Sequence, residues 1–327
     1  MDQQYRPRFN QKQSRRPWRR SSGPGGHRFA HPDHRSPQKN PDEEVFLSKT
    51  SIDPRVRLQL EKGSSELTVR GMDILCPIGK GQRGLIVSPP KAGKTTFLKN
   101  ICQALAKCDP ALKLYCLLID ERPEEVTDFK RTVPGEVHAS SNDRPYEEHI
   151  RVAKNLLAKA IGEVNAGQDV VILLDSLTRL ARVHNSSAVG NKTMSGGLDS
   201  RALEIPRRFF GMARNIEEGG SLTILATILV ETGSRMDDVI FQEFKGTGNM
   251  ELVLSRAAAE QRIFPAINVR ATGTRKEELL LTPPDLEKVY KLRKALAGIE
   301  EVQAASIFVE FLQKSKTNAE ALLTVDV

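Results

Sequence analysis

No run of about 18 apolar residues occurs in this chain, so a membrane-spanning helix is not expected. Cysteine is scarce. Cys76, Cys102, Cys108 and Cys116 are the whole complement, no two are spaced C-x-x-C, and no histidine follows at a zinc-finger interval. That pattern excludes a disulfide framework or a zinc module and leaves four reduced thiols, as expected of a cytoplasmic protein. The N-terminus has no apolar segment of the kind a secretory signal requires, and its Pro and Gly residues oppose the amphipathic helix of a transit peptide. No internal repeat is present, which excludes a solenoid. Acid is sparse in the first 40 residues: Asp2 and Asp33 stand against ten Lys and Arg. This surplus equals the formal net charge of +8 for the whole chain, so the remainder is neutral. The polyanion contact that a basic protein invites is thus confined to one short segment.

Residues 1–44 are rich in Arg, Pro, Gly, Ser, Gln and His, and too poor in apolar side chains to offset the entropy of ordering. They are expected to form a disordered basic tail. The sole tryptophan, Trp18, lies within Arg15-Arg16-Pro17-Trp18-Arg19-Arg20, a mixture of charge and stacking surface suited to single-stranded nucleic acid.

From residue 45 to 327 the composition is that of one globular domain. The apolar runs 85–87, 114–119, 170–174 and 222–230 read as strands. Helical spacing separates them: Phe97, Leu98, Ile101 and Leu105 share a face, as do Ile150, Ala153, Leu157, Ile161 and Val164. Residues 284–297 and 303–314 read as closing helices. Continuous apolar strands alternating with helices predict an α/β fold with a mostly parallel sheet covered on both faces.

The string Ser88-Pro89-Pro90-Lys91-Ala92-Gly93-Lys94-Thr95 lies between such a strand and such a helix, with Ser88 where a P-loop usually begins with Gly. Successive backbone N–H groups at a helix start wrap a phosphate, so Lys94 is expected on the β- and γ-phosphates and Thr95 on Mg²⁺. Leu173-Leu174-Asp175 ends a second strand in an acid that can hold the same ion. Ile119-Asp120-Glu121 ends a third; the two acids point to opposite sides of an extended chain, and Glu121 is the candidate to polarise the attacking water. Arg256, Arg262 and Arg275 are candidates for neutralising charge on a γ-phosphate across a subunit boundary. Two Gly-containing segments, 189–197 and 231–235, each with one basic residue, follow predicted strands and are candidate loops facing nucleic acid.

Beyond these elements, the chain from about Phe46 onward resembles the ATPase domain of the bacterial transcription termination factor Rho family. The resemblance rests on Pro77-Ile78-Gly79-Lys80-Gly81-Gln82-Arg83-Gly84, Pro89-Pro90-Lys91-Ala92-Gly93-Lys94-Thr95 and the run from Leu117 to Val126. It continues through the run from Asp175 to Arg182, Phe244-Lys245-Gly246-Thr247-Gly248-Asn249-Met250-Glu251-Leu252, and Gly273-Thr274-Arg275-Lys276-Glu277-Glu278. It implies a RecA-like P-loop fold and a homohexamer that hydrolyses ATP with Mg²⁺ while single-stranded RNA occupies a central channel, with RNA polymerase a candidate further partner. By the same resemblance Glu121, Lys94, Arg275 and Arg256 are catalytic, with Arg275 as the arginine finger. Gly79, Lys80, Gly81, Gln82, Arg83, Gly84, Lys91, Ala92, Gly93, Lys94, Thr95, Thr96, Arg122 and Phe264 match nucleotide-binding positions, Phe264 against adenine. Thr95 and Asp175 match the Mg²⁺ positions. Thr193, Met194, Ser195, Gly196 and Gly197 match one RNA loop, and Arg235 stands where the other carries a lysine.

Rho proteins usually begin with an OB-type barrel that captures RNA, and residues 1–44 carry no strand pattern for one. The alternative expectation is therefore a nucleotide-binding, RNA-associated regulatory protein without autonomous termination activity. A ring ATPase acting on protein is disfavoured, because the barrel and the helical domain that flank the P-loop of such enzymes are not found here at their usual size.

Overall fold

The computed structural model describes residues 41–187, 195–199 and 201–326. In chain order the described elements begin with α1 (Pro41–Ser48), β1 (Ser51–Ile52), β2 (Arg57–Leu58), α2 (Leu67–Leu75), β3 (Ile78–Gly79), β4 (Arg83–Ser88) and α3 (Lys94–Cys108). Next come β5 (Lys113–Glu121), α4 (Pro123–Thr132), β6 (Glu136–Ser141), α5 (Tyr146–Asn165), β7 (Asp169–Asp175) and α6 (Leu177–Ser187). After these follow α7 (Glu204–Gly211), β8 (Arg214–Ile216), β9 (Ser221–Leu229), α8 (Arg235–Lys245), β10 (Met250–Val253) and α9 (Arg256–Glu260). The described chain closes with β11 (Gly273–Thr274), α10 (Pro283–Ala297), α11 (Glu301–Gln313) and α12 (Asn318–Leu323).

The expected strands all form, and they pair in the order β11-β10-β4-β9-β7-β5-β6. The six strands from β10 to β6 run parallel; β11 closes one edge antiparallel, and β8 and β1 extend the sheet antiparallel from β9. Successive side chains leave a strand on opposite faces, and here both faces are buried. Cys116 and Leu118 of β5 and Val171 and Leu173 of β7 pack with α2, α3 and the closing helices. Leu117 and Ile119, with Val170, Ile172 and Leu174, pack with α5, α6, α7 and α8 on the other face. The apolar runs are continuous because both faces of each strand are covered.

Several helix ends are set by local chemistry. Thr282 caps α10 by accepting the Asp285 N–H, with Pro283 as first residue, and Thr317 and Glu320 form a reciprocal capping box on α12. Helix α1 starts at Pro41 and carries Asp42, Glu43 and Glu44 in its first turn, where acid meets the positive helix end. Residues 41–44, assigned to the basic tail from composition, are therefore helical; the rest of that tail lies outside the described residues. A second correction concerns segment 189–197, which follows helix α6 and not a strand. Segment 231–235 does leave the end of β9.

Candidate nucleotide site and loop pair

Parallel strands deliver their carboxyl ends to one crevice, where a ligand meets loops and helix starts. Four strand ends meet there: Ser88 of β4, Glu121 of β5, Asp175 of β7 and Leu229 of β9. Between Ser88 and α3 the loop turns through two left-handed residues, Lys91 (φ 65°) and Gly93 (φ 88°), and α3 opens at Lys94. This alternation is the backbone form that turns consecutive N–H groups toward an anion, and the helix dipole adds to it. Ala92 is buried under the loop, while Lys91 and Thr96 are exposed. Phe264 is 46 % exposed, and its ring lies against the loop: a Cβ on Gly93 would sit 3.7 Å from the ring edge.

The Lys94 ammonium is held at 2.5 and 2.6 Å from the two Asp175 carboxylate oxygens and 3.3 Å from Glu121 Oε1. Both acids are 2 % exposed. Burial opposes the lysine charge, but Asp175 and Glu121 outweigh it and hold the ammonium above its usual range. Burial, and then Asp175, push the Glu121 carboxyl up to about 7, against the pull of Lys94 and Arg179. Glu121 reaches the crevice because β5 bulges just before it: Asp120 takes φ 57° and the register against β6 slips between Ile119 and Glu121. The two acids do diverge as expected, with Glu121 buried and Asp120 half-buried.

Sequence reasoning missed Arg179. Its guanidinium lies 3.2 Å from Glu121 Oε2 and donates to the Asp120 carbonyl, so it fixes the bulge and the acid together. The available signal was its place four residues after Asp175, one turn into α6. Thr227 was also missed; its hydroxyl donates to Asp175 at 2.7 Å and aims that carboxylate. Thr95 and Asp175 offer hard oxygens at the same crevice, and Asp175 already holds a cation, so the pair fits a magnesium ion beside a phosphate. Arg122 is exposed at the start of α4, next in sequence to Glu121. Arg256 is exposed at the start of α9, where among the described residues it pairs with Glu260.

Six expected nucleotide positions do not join this cluster. Gly79, Lys80, Gly81, Gln82, Arg83 and Gly84 stand at the amino end of β4, and the P-loop leaves its carboxyl end. Five residue steps at about 3.3 Å put roughly 16 Å of strand between Arg83 and Ser88. Their groups are engaged locally. Lys80 pairs with Asp169 at 2.7 Å and Asp109 at 2.9 Å. The Gly81 N–H donates to Thr223 at 2.8 Å, and Gln82 donates to the Asn249 side chain at 2.7 Å. Arg275 is at this same end, because β11 pairs antiparallel with β10 and the Arg275 N–H donates to the Asn249 carbonyl. Burial, and then Arg275, lower the Arg83 guanidinium; burial, and then Arg83, lower Arg214. A cavity of about 500 Å³ opens beside Arg55, Arg83 and Arg214, and no acid pairs with any of the three among the described residues.

Of the first candidate RNA loop, Thr193 and Met194 lie outside the described residues. Ser195–Gly197 form a short helical turn with Gly196 at φ 74° and Gly197 at φ 78°. Glycine is required at 196: a Cβ there would come within 2.9 Å of the Arg235 backbone. The second loop is thereby packed against the first. Buried Asp237 ties it down further, accepting from Arg182 at 2.8 and 2.5 Å and from Thr232 at 2.6 Å. Arg235 itself is exposed beside an open cavity of about 620 Å³ shared with Arg182, Asn185 and Gly196.

A sequence profile of the ATP synthase alpha/beta family, nucleotide-binding domain, matches residues 68–272. Transcription termination factor Rho of Pseudomonas fluorescens biotype C is 53 % identical over 293 residues, which cover 88 % of this chain and 70 % of that protein. Rho of Haemophilus influenzae is 53 % identical over 288 residues, 87 % of this chain and 69 % of that one. Among solved structures, an ATPase from the type III secretion system of pathogenic bacteria superposes with a TM-score of 0.70 at 23 % identity, covering 85 % of this chain and 87 % of its own. That last likeness is one of fold. No helix among the described residues is long and apolar enough to cross a membrane.

Proposed function

Because the chain belongs to the Rho family of transcription termination factors, we propose that it is an RNA-stimulated motor. It pulls single-stranded RNA 5′ to 3′ through a ring of six copies, unwinds duplex in its path and so ends transcription. Family membership makes it an ATP-hydrolysing enzyme. In this reading it acts in the cytoplasm, with RNA polymerase as a further partner.

One observation carries the reading: the charges the reaction needs are divided between the two ends of β4. Lys94, Glu121 and Asp175 gather at the carboxyl end, and Arg275 with Arg83 stands at the amino end. An arginine side chain spans well under the roughly 16 Å of that strand. Arg275 therefore serves a second copy's nucleotide, not its own, and the site is complete only between subunits. The six positions from Gly79 to Gly84 touch nucleotide from that neighbouring side.

Within one copy, the loop N–H groups and Lys91 hold phosphate, Phe264 stacks on the base, and Arg122 contacts the nucleotide from the start of α4. Lys94 leaves Asp175 for the β- and γ-phosphates. Thr95 and Asp175 would hold Mg²⁺, which supplies positive charge against the phosphate oxygens. Glu121, steadied by Arg179, orients water and takes its proton; a carboxyl near 7 is matched to that exchange at neutral pH. Arg256 adds charge at the interface once it releases Glu260. Arg235 and the 193–197 loop grip the RNA backbone. The Gly196–Arg235 contact makes the two loops one unit, so RNA bound at either moves both.

The test is ATP turnover with and without poly(C), together with the mass of the assembly. Turnover raised by RNA in a six-copy particle is expected. Equal turnover without RNA overturns the motor reading. Glu121→Gln should lower turnover about 100-fold or more while nucleotide binding persists. Unchanged turnover in that variant would remove Glu121 from the mechanism.

A further inference from the structure

Four reduced thiols were expected, and two of them are neighbours. Cys102 Sγ on α3 lies 3.6 Å from Cys116 Sγ on β5, with both residues fully buried. The two positions are not equivalent. Cys102 lies beneath Gly135: a Cβ built on that partly exposed glycine would come within 3.4 Å of the sulfur, and both its chain neighbours, Pro134 and Glu136, are exposed. The Gly135 backbone, with Leu114 beside it, thus lies next to this thiol. The hydrogen bond from Cys116, and in smaller measure the Gly135 N–H, lower the Cys102 thiol below its usual range, while that same bond and burial push Cys116 up. Of the two, Cys102 is the sulfur whose deprotonation is favoured, and Cys116 is the sulfur placed to resolve it.

We propose that Cys102 and Cys116 form a reversible dithiol–disulfide site, oxidised by hydrogen peroxide, that locks the P-loop helix to the strand bearing Glu121. The Cys102 thiolate attacks the peroxide, the O–O bond breaks, and hydroxide leaves and is protonated, giving a sulfenic acid. The Cys116 sulfur then attacks the Cys102 sulfur. The S–O bond breaks, and the departing oxygen leaves as water with the Cys116 proton. Two thiols and one peroxide become one disulfide and two waters. A second thiol pair, such as dithiothreitol, reverses the step by exchange.

The consequence for the nucleotide site follows from position, and this part rests on the reading of Glu121 and Lys94 given above. Cys102 lies two helical turns beyond Lys94, and Cys116 lies five residues before Glu121 on the same strand. A disulfide holds its sulfurs at about 2.05 Å, so closure brings the two sulfurs roughly 1.5 Å nearer than at present, and what side-chain rotation does not supply is taken up by α3 and β5. Displacements of about 1 Å between catalytic groups are enough to lower turnover severalfold or more.

The test treats the full-length protein with hydrogen peroxide, quenches free thiols with an alkylating reagent and maps peptides without reduction. A Cys102–Cys116 cross-linked peptide is expected, released by dithiothreitol. Cys116→Ala should leave a sulfenic acid on Cys102 that dimedone traps, whereas Cys102→Ala should leave Cys116 unmodified. Turnover should fall severalfold on oxidation, return with dithiothreitol and be insensitive to peroxide in Cys102→Ala. Both cysteines remaining free while the more exposed Cys108 is oxidised overturns the site. A cross-link that forms with turnover unchanged overturns the lock. Should the protein show no turnover at all, the peptide map still decides the thiol chemistry, so failure of the functional reading is separable from failure of this one.

Discussion

Replacing Arg179 tests how Glu121 is tuned. Its carboxyl rises to about 7 because burial and Asp175 disfavour the charged form, and only Lys94 and Arg179 oppose them. A base works when deprotonated. With a value near 7, about a tenth of the sites are competent one pH unit below and about nine tenths one unit above. Turnover at limiting ATP and saturating RNA should therefore rise roughly tenfold between about pH 6 and pH 8, an ascending limb that reports the free enzyme. A solvated glutamate near 4.5 would give a flat profile over the same range. Arg179→Ala removes one of the two opposing cations 3.2 Å away, so the limb should move to higher pH. Lys94 cannot serve for this purpose because the proposed mechanism also gives it the phosphates. Phosphate release followed through a coupled fluorescent sensor across that range is the assay. The sign for stability runs the opposite way: with the folded value above the unfolded one, the folded state holds the proton longer, so Glu121 favours folding below about 4.5 and that advantage is lost as pH rises through about 7. A flat profile, or a limb that stays in place in Arg179→Ala, refutes the assignment.

Two further perturbations probe other parts of the mechanism. Arg275→Ala should lower turnover by about 10³-fold or more. Mixing it with Lys94→Ala, itself inactive, should restore activity at mixed interfaces, measured by titrating one variant into the other; no recovery at any ratio would mean that the arginine serves its own chain. Gly196→Ala forces a side chain against the Arg235 backbone at a left-handed residue, a strain of roughly 1–3 kcal/mol. RNA should then bind roughly tenfold more weakly, by fluorescence anisotropy, with RNA-free turnover unchanged.

The fold was legible wherever one residue pattern had one physical meaning. The aliphatic runs of β5, β7 and β9 could only be strands buried on both faces, and the loop from Ser88 to Thr95 could only join a strand to a helix start. Glu121, Lys94 and Asp175 could be assigned because each ends a strand or opens the helix that follows one. The Gly79–Gly84 string could be matched to nucleotide positions but not placed in the fold. Glycines beside a lysine look phosphate-like at either end of a strand, and similarity carries no information about which end faces the ligand. The nearness of Arg83 and Arg275 arises from pairing of β10 with β4 and β11, a long-range register that no local pattern announces. The start of α1 was readable and was overlooked: Pro41 followed by three acids is a helix N-terminus written in sequence. Arg179 lay inside the quoted run from Asp175 to Arg182, and only the packing of α6 beside β5 brings it to Glu121.

On the proposed reading, the length of β4 bears on how copies of this chain associate. One end of the strand offers what a triphosphate binds and the other offers what completes a neighbour's pocket, so each junction joins unlike ends of two copies. A dyad could complete two pockets at once, but it would use up both unlike ends and stop at a pair. The proposed ring instead runs head to tail, and the rotation gained at each junction decides whether the series closes on itself or climbs into a spiral.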